Sequence, residues 1–156
     1  MTPRPRIRLA TREDAATLAE LRVALFAETA AAGVPDPARF LEDCRAAFVE
    51  FFEAERGLAF VAQAEGPGIV SALTLFVHAR LPSPQSAGTE EGYVSGVYTL
   101  PAWRRRGLAR ALLGEACAEA RRRGWTRLRL RTTAQGRGLY TAVGFQPRDD
   151  LMEFAL

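Results

Sequence analysis

The richest chemistry lies in one run, Tyr98-Thr99-Leu100-Pro101-Ala102-Trp103-Arg104-Arg105-Arg106-Gly107-Leu108-Ala109-Arg110. Its pattern predicts a strand that ends, a short arginine loop closed by a glycine, and then an alanine-rich helix. A helix N-terminus presents unpaired N–H groups and the positive end of the helix dipole. Gly107 lets the backbone come close to a ligand, and Ala109 keeps the first turn free of bulk. These are the parts of a phosphate cradle. The run has neither the GxxxxGK[ST] of a Walker loop nor the GxGxxG of a dinucleotide-binding turn. By charge alone, an arginine-rich surface loop capped by glycine fits the same residues.

Other reactive side chains are few. His78 is the only histidine, which leaves little for a zinc site or a Ser–His or Cys–His relay. Cys44 and Cys117 lie far apart without a CxxC spacing and read as small core side chains, reduced in a cytosol.

The elements that must position these residues follow from periodicity. Ile7 and Leu9 open a short strand. Thr11 and Asp14 flank a helix start close to a capping box, and Leu18, Leu21 and Leu25 mark an amphipathic helix over 13–31. Asp36 and Pro37 start a second helix, with Phe40, Cys44, Phe48 and Phe51 on one face and Gly57 as its stop. Strands over 58–64 and 69–78 are joined by Glu65-Gly66-Pro67-Gly68 into a hairpin. Residues 79–92 form a long loop, 93–99 a strand, 107–123 a helix ended by Gly124, 126–131 a strand and 134–143 a short helix. A final extended segment begins at Gly144. The order β-α-α-β-β-β-α-β-α-β predicts an α/β domain with a mixed sheet and helices on its faces. Residues 93–131 form a parallel βαβ unit.

Length and composition agree with one domain over 1–156. The chain has 156 residues, 48% of them hydrophobic and 25% charged, and carries a net charge of +3. No apolar run reaches the ~18–20 residues of a membrane helix, and the arginine-bearing N-terminus lacks the apolar core of a secretory signal. The expectation is a cytoplasmic protein with no membrane partner. All 21 basic residues are arginine, which base composition of the genome explains. Their distribution is uneven: residues 101–137 hold eleven arginines against two acids, and residues 1–100 hold nine against thirteen. The second half is suited to anions. The arginines lack the interleaved aromatics of single-strand binders, so no nucleic-acid partner is expected. Arg127, Arg129 and Arg131 alternate on one strand face, open to an anion or to a second copy in a homodimer. Arg121-Arg122-Arg123 suits the negative end of a helix dipole.

Two segments carry a family resemblance. Arg104-Arg105-Arg106-Gly107-Leu108-Ala109 resembles the Arg/Gln-x-x-Gly-x-Gly/Ala signature of the GNAT superfamily of N-acetyltransferases. Leu139-Tyr140-Thr141-Ala142-Val143-Gly144-Phe145 resembles that family's LYxxxGF element, at the usual separation. The order of elements matches the family over essentially the whole chain. The pair Tyr98-Thr99-Leu100-Pro101 and Gly136-Arg137-Gly138-Leu139-Tyr140 is similar to a bacterial branch of small, stand-alone members.

The resemblance implies an acetyltransferase that binds acetyl-CoA as cosubstrate, without a metal, and passes the acetyl group directly to a primary amine in a ternary complex. It places the pyrophosphate on residues Arg104, Arg105, Arg106, Gly107, Leu108 and Ala109, with Arg110 beside them. The pantetheine arm would run along backbone groups of Val97, Tyr98 and Thr99. Gly96 suits a bulge in that strand, which should splay from the strand at 126–131. Tyr140 becomes the catalytic candidate: amide formation expels a thiolate, and a phenol of pKa ~10 can hydrogen-bond to it or protonate it. Thr133 stands where the family often has asparagine. Glu90 and Glu91, placed in the long loop, are either a base acting through water or two solvated acids, the second reading being preferred. The acceptor side is expected in the two N-terminal helices, whose Glu20, Glu28, Glu42, Asp43 and Glu50 weakly favour a cationic amine. The reading from another class is an acetyl-CoA-binding sensor without turnover, against which Tyr140 stands.

Overall fold

The computed structural model describes residues 3–148 and 152–156. Five strands form one sheet in the order β1-β2-β3-β4-β5: β1 (Arg6–Leu9), β2 (Gly57–Ala64), β3 (Gly68–Ala79), β4 (Glu90–Thr99) and β5 (Leu128–Leu130). The first three pairings are antiparallel and β4 with β5 is parallel. The helices are α1 (Ala15–Thr29), α2 (Pro37–Glu53), α3 (Leu108–Arg122) and α4 (Arg137–Val143).

Alternation along β2 explains why both faces need cover. Ala59 and Val61 turn toward Leu18 and Leu21 of α1. Phe60, between them, turns the other way onto Leu112, Leu113 and Ala116 of α3. Side chains on a strand point to opposite faces with period two, so each face needs its own helices. The β-α-α-β-β-β-α-β-α order is therefore realised as a mixed sheet between two helical layers.

The start of α1 is fixed by Asp14. Its carboxylate accepts the Thr11 N–H at 2.8 Å and a two-pronged contact from Arg8 at 2.7 and 2.9 Å. The Arg8 hydrogen bond is the main reason the Asp14 carboxyl sits below its ordinary pKa, against a smaller opposing effect of burial. Asp36 caps α2 by accepting the Arg39 N–H at 3.0 Å, and Pro37 follows as the first helical residue.

Several boundaries differ from the sequence expectation. α2 is stopped by Glu55, not Gly57. Glu55 takes the left-handed conformation at φ 50°, and the Arg56 N–H folds back to Phe51 O at 3.1 Å, while Gly57 opens β2. β4 starts at Glu90, because Ala79 and His78 extend β3 far enough to pair with Glu90 and Glu91. The long loop is therefore shorter than expected. Arg80 holds it by donating to Gly88 O at 2.7 Å and Ser83 Oγ at 3.0 Å. α4 is confined to Arg137–Val143 and β5 to three residues. No strand forms over 145–148 or 152–156, so the final strand is absent among the described residues. Pro147 has no N–H to give a ladder, and the three-residue β5 offers a short template. No helix among the described residues is long and apolar enough to cross a membrane.

Candidate active site

The centre of the site is an opening in the sheet. β4 and β5 pair only at Gly92↔Leu128, Tyr93↔Arg129 and Val94↔Leu130. Beyond Val94 the two chains part, as the splay expectation requires. The cause is visible on β4. On its other side Ala72 pairs with Tyr98 and Thr74 with Ser95, so Leu73 alone faces both Gly96 and Val97. That is a bulge, and Gly96 meets it with φ 62°, a conformation that a side chain would strain. A bulge bends its strand and increases local twist, which turns the end of β4 away from β5.

Past the bulge, the direction of the β4 backbone can be read from its partners. Leu100 N–H donates to Val70 O at 2.9 Å, and Tyr98 O accepts from Ser71 Oγ at 2.9 Å. Both face β3. Alternation turns Val97 and Thr99 toward the opening, where Thr99 O already accepts from Arg104 Nε at 3.0 Å. Of the three residues expected along the pantetheine, Val97 and Thr99 thus offer backbone groups to the opening, and Tyr98 contributes its side chain elsewhere.

The loop from Arg104 to Ala109 closes the wide end of the opening. Arg105 has φ 61° and Gly107 φ 76°, the only left-handed positions between Gly96 and Gly124 among the described residues. Left-handed residues on either side of Arg106 turn successive N–H groups toward a common point, which makes an anion-binding nest. Among the described residues, no backbone acceptor takes the N–H groups of Arg105, Arg106 or Gly107. Gly107 is the N-cap of α3, so the free N–H groups and dipole of a fifteen-residue helix add to the same point. A Cβ on Gly107 would meet nothing within 4 Å, so the nest opens to solvent.

The loop's arginines have separate duties. Arg105 and Arg110 are exposed and have no carboxylate partner among the described residues. Arg106 lies over the Trp103 ring, 4.6 Å from its centroid, and donates to Ala102 O at 3.1 Å. Arg104 turns back into the protein. It grips both oxygens of Glu28 at 2.8 and 2.7 Å, while the Tyr98 hydroxyl donates to the same carboxylate at 2.5 Å. The Tyr98 and Arg104 hydrogen bonds hold the Glu28 carboxyl below its ordinary pKa. This tie joins α1 to the cradle through the side chain of Arg104.

Tyr140 sits on α4 against the core cluster that contains Val94 and, partly buried, Val97. Its ring meets Phe145 edge-on at 6.0 Å. Burial pushes its phenol above the usual value, and no hydrogen bond among the described residues engages the hydroxyl. Thr133, in the approach to α4, donates no side-chain contact outward; its Oγ1 accepts the Gly136 N–H at 3.2 Å.

Glu90 and Glu91 lie at the opposite end of β4 from the cradle. Glu90 accepts the Trp125 indole N–H at 3.3 Å and lies 3.8 Å from Arg123, while Glu91 is 3.7 Å from Arg129. Arg131 pairs with Glu153 at 2.7 Å. His78 stacks on Tyr93 at 5.7 Å with a 10° interplanar angle, a packing role. Arg123 also grips the buried Glu119 at 2.5 Å, together with Arg122, so the arginine triplet does more than end a helix. Cys44 is buried beside Arg22, and burial raises its thiol pKa, as it does for the half-buried Cys117. Among the described residues no cluster of His, Cys, Asp or Glu has metal-binding geometry.

Sequence reasoning missed a cleft between α1, α2 and β3. Its deeper part has a volume of about 370 Å³ and is lined by Phe40, Cys44, Phe48, Phe51, Phe76 and Arg22. A shallower lobe continues along Phe26 and Val34 and shares Arg22, Phe40 and Asp43. Arg22 reaches the bulge: its Nη1 is 3.8 Å from where a Cβ on Gly96 would stand, as is the Thr74 hydroxyl. The signal was present, because position 22 is four residues from Leu18 and lies on the apolar stripe of α1, where an arginine is out of place.

A family model described as acetyltransferase (GNAT) family matches residues 23–145. Among solved structures, a predicted acetyltransferase from Clostridium acetobutylicum, with acetyl-CoA, superposes with a TM-score of 0.83 at 21% identity, covering 96% of this chain and 95% of that one. A GCN5-related N-acetyltransferase from Ralstonia eutropha gives 0.81 at 24% identity, covering 96% and 97%. A ribosomal-protein-alanine N-acetyltransferase from Brucella melitensis gives 0.68 at 23% identity, covering 97% and 98%. None of the curated proteins matches this sequence. At these identities the structures establish the fold. The family model, matching well over half of the residues, establishes more: this chain belongs to the GNAT family of acetyltransferases, which take acetyl groups from acetyl-CoA.

Proposed function

We propose that the chain acts as one N-acetyltransferase domain that moves the acetyl group of acetyl-CoA to a primary amine, by direct transfer with both substrates bound. The observation that carries this reading is the coincidence of the parted strands with the nest at their wide end. The Arg105–Gly107 N–H groups and the start of α3 would hold the pyrophosphate, with Arg105 and Arg110 near enough in sequence to add charge. Val97 and Thr99 would give hydrogen bonds to the pantetheine amides, as an added strand would.

The thioester brings an activated acyl carbon. The amine nitrogen bonds to that carbon, the C–S bond breaks, and the sulfur leaves with its electron pair. Tyr140 would receive it. With its pKa raised above ~10, this phenol is a weaker acid than a thiol of pKa ~8.5, so its main act is to donate a hydrogen bond to the departing thiolate. The proton lost by the nitrogen passes to water, and the released thiolate takes a proton from water in turn, so that the products are the amide and the free thiol. Burial raises the thiol pKa of both Cys44 and Cys117, so neither is an activated thiolate, which favours direct transfer over an acyl-enzyme.

Two measurements test the reading. Mass spectrometry of the purified protein should find CoA or acetyl-CoA, and a panel of amines should give acetyl-CoA-dependent release of free thiol. Binding without thiol release for any amine would instead support the sensor reading.

A further inference from the structure

The acids expected to attract a cationic acceptor are all engaged by arginines. Glu20 and Glu42 face Arg45 at 3.8 and 2.8 Å, Asp43 faces Arg39 at 3.8 Å, Glu50 binds Arg56 at 2.5 Å, and Glu28 binds Arg104 at 2.7 Å. Arg22 is different. It is half-buried, it lines both lobes of the cleft, and no carboxylate among the described residues pairs with it. Its guanidinium lies 4.9 Å from the Phe26 ring centroid and beside the Cys44 thiol. A half-buried cation without an ionic partner is a binding group for an anion.

Position narrows the choice of anion. Arg22 stands next to Gly96, on the strand along which the thioester would lie. On the proposed path of the cosubstrate, a group held by Arg22 would lie close to the acyl carbon. An amine that attacks there while its anion contacts Arg22 would carry the two groups close together, as an α-amino acid does on a single carbon. The rest of the cleft carries four phenylalanines, Phe40, Phe48, Phe51 and Phe76, together with Asp43 and Glu50, each already engaged by an arginine, and about 370 Å³ lies at the small end of the ~300–1,000 Å³ range of small-molecule sites.

Resting on the acetyl-transfer reading above, we infer that the acceptor is a free α-amino acid with an apolar side chain, its carboxylate bound by Arg22 and its side chain seated among Phe40, Phe48 and Phe51. Arg22 is then a specificity residue. A peptide N-terminus, whose first residue has no carboxylate, is disfavoured by the same contact.

The test compares three acceptors of one shape: L-phenylalanine, L-phenylalaninamide and phenethylamine, with L-leucine as a smaller amino acid. Thiol release at saturating acetyl-CoA should give a kcat/KM at least tenfold higher for the free acids than for the amide or the amine, as expected for losing a charge-assisted hydrogen bond. Arg22→Gln should close most of that gap through KM for the acids, and Arg22→Lys should restore part of it. Equal kcat/KM for the three acceptors in the unaltered protein would overturn the inference. So would an equal fall in kcat for all of them in Arg22→Gln, which would place the guanidinium on the reaction's oxyanion. Absence of turnover with every apolar amino acid, in a protein that calorimetry shows to bind acetyl-CoA, would overturn it while leaving the cosubstrate reading intact. Failure to bind acetyl-CoA would remove both.

Discussion

The two sides of the opening are built by different means. The cradle side is made mainly of backbone: left-handed residues at Arg105 and Gly107, a bulge at Gly96, and the free N–H groups that begin α3. The cleft side is made of side chains, Arg22 from α1, Phe40 and Phe48 from α2, Phe76 from β3. Backbone geometry of this kind suits a phosphate common to every CoA thioester. Side chains from three separate elements can change one at a time without disturbing the sheet. The contrast teaches that one half of such a molecule can be general and the other particular.

The comparison can be broken most forcefully at the chemistry between the two sides. Tyr140→Phe should lower kcat by at least tenfold, as expected for losing a hydrogen bond of ~1.5–3 kcal/mol to a charged thiolate, while acetyl-CoA affinity measured by calorimetry changes little. Because burial raises the phenol, its loss of a proton should depress the rate only above pH ~10. Any inflection between pH 6 and 9 in the kcat profile should survive in the phenylalanine variant. Full activity of that variant, where chemistry limits the rate, would assign the thiolate to another donor.

Gly107→Glu tests the cradle alone. It puts a carboxylate at the focus of the nest and a side chain in a left-handed position, and it removes hydrogen bonds of ~1.5–3 kcal/mol each. Acetyl-CoA should bind more than tenfold more weakly in a protein whose circular dichroism is unchanged. An unchanged Kd would refute the cradle.

The cleft side rests on α1, and Asp14→Asn tests what anchors it. The mutation should lower stability by about 1–2 kcal/mol at pH 7, measured by urea unfolding. The native carboxyl has a depressed pKa, so its contribution is present above the unfolded value of ~3.9 and is lost as pH falls through the native one. The difference between variant and parent should therefore vanish in acid. A difference that persists at pH 2 would mean the asparagine disturbs packing rather than the ion pair.

The smallest effect is expected from Glu90→Gln with Glu91→Gln. Both acids face Trp125, Arg123 and Arg129 at the closed end of the sheet. KM for the amine and kcat should stay within about twofold, since exposed pairs contribute ~0–1 kcal/mol. A clear fall in kcat with a changed acidic limb of the pH profile would return them to the mechanism.

What could be read before the structure divides along the same line. The cradle was legible because its parts are consecutive: Arg104 to Ala109 fix a turn and a helix start within six residues. Gly96 could be marked as a bulge because glycine interrupts a strand pattern. The cleft was not legible, since Arg22 and Phe76 lie 54 residues apart and meet only through the packing of α1 on the sheet. The side-chain partner of Arg104 was illegible for a related reason: Glu28 lies far away in sequence. Boundaries slipped where pairing with a neighbour overrode local preference, as at Glu90 and Glu91, whose strand is imposed by β3. The expected last strand slipped in the opposite sense, since Pro147 and a three-residue neighbour gave it too little to pair with.

Gly92 sets the geometry of the opening from its closed end. A Cβ there would stand 2.4 Å from Leu128 Cδ2 and 2.5 Å from Trp125 Cζ3, so a methyl group must push one of them aside. Gly92 lies in the paired end, two residues before β4 and β5 part beyond Val94, and Ser95 to Thr99 form the long arm. A small rotation at the paired end becomes a larger displacement where Val97 and Thr99 must meet a ligand. The close approach of Leu128 and Trp125 to β4 thus depends on the absence of one carbon atom, at the end of the sheet remote from the cradle.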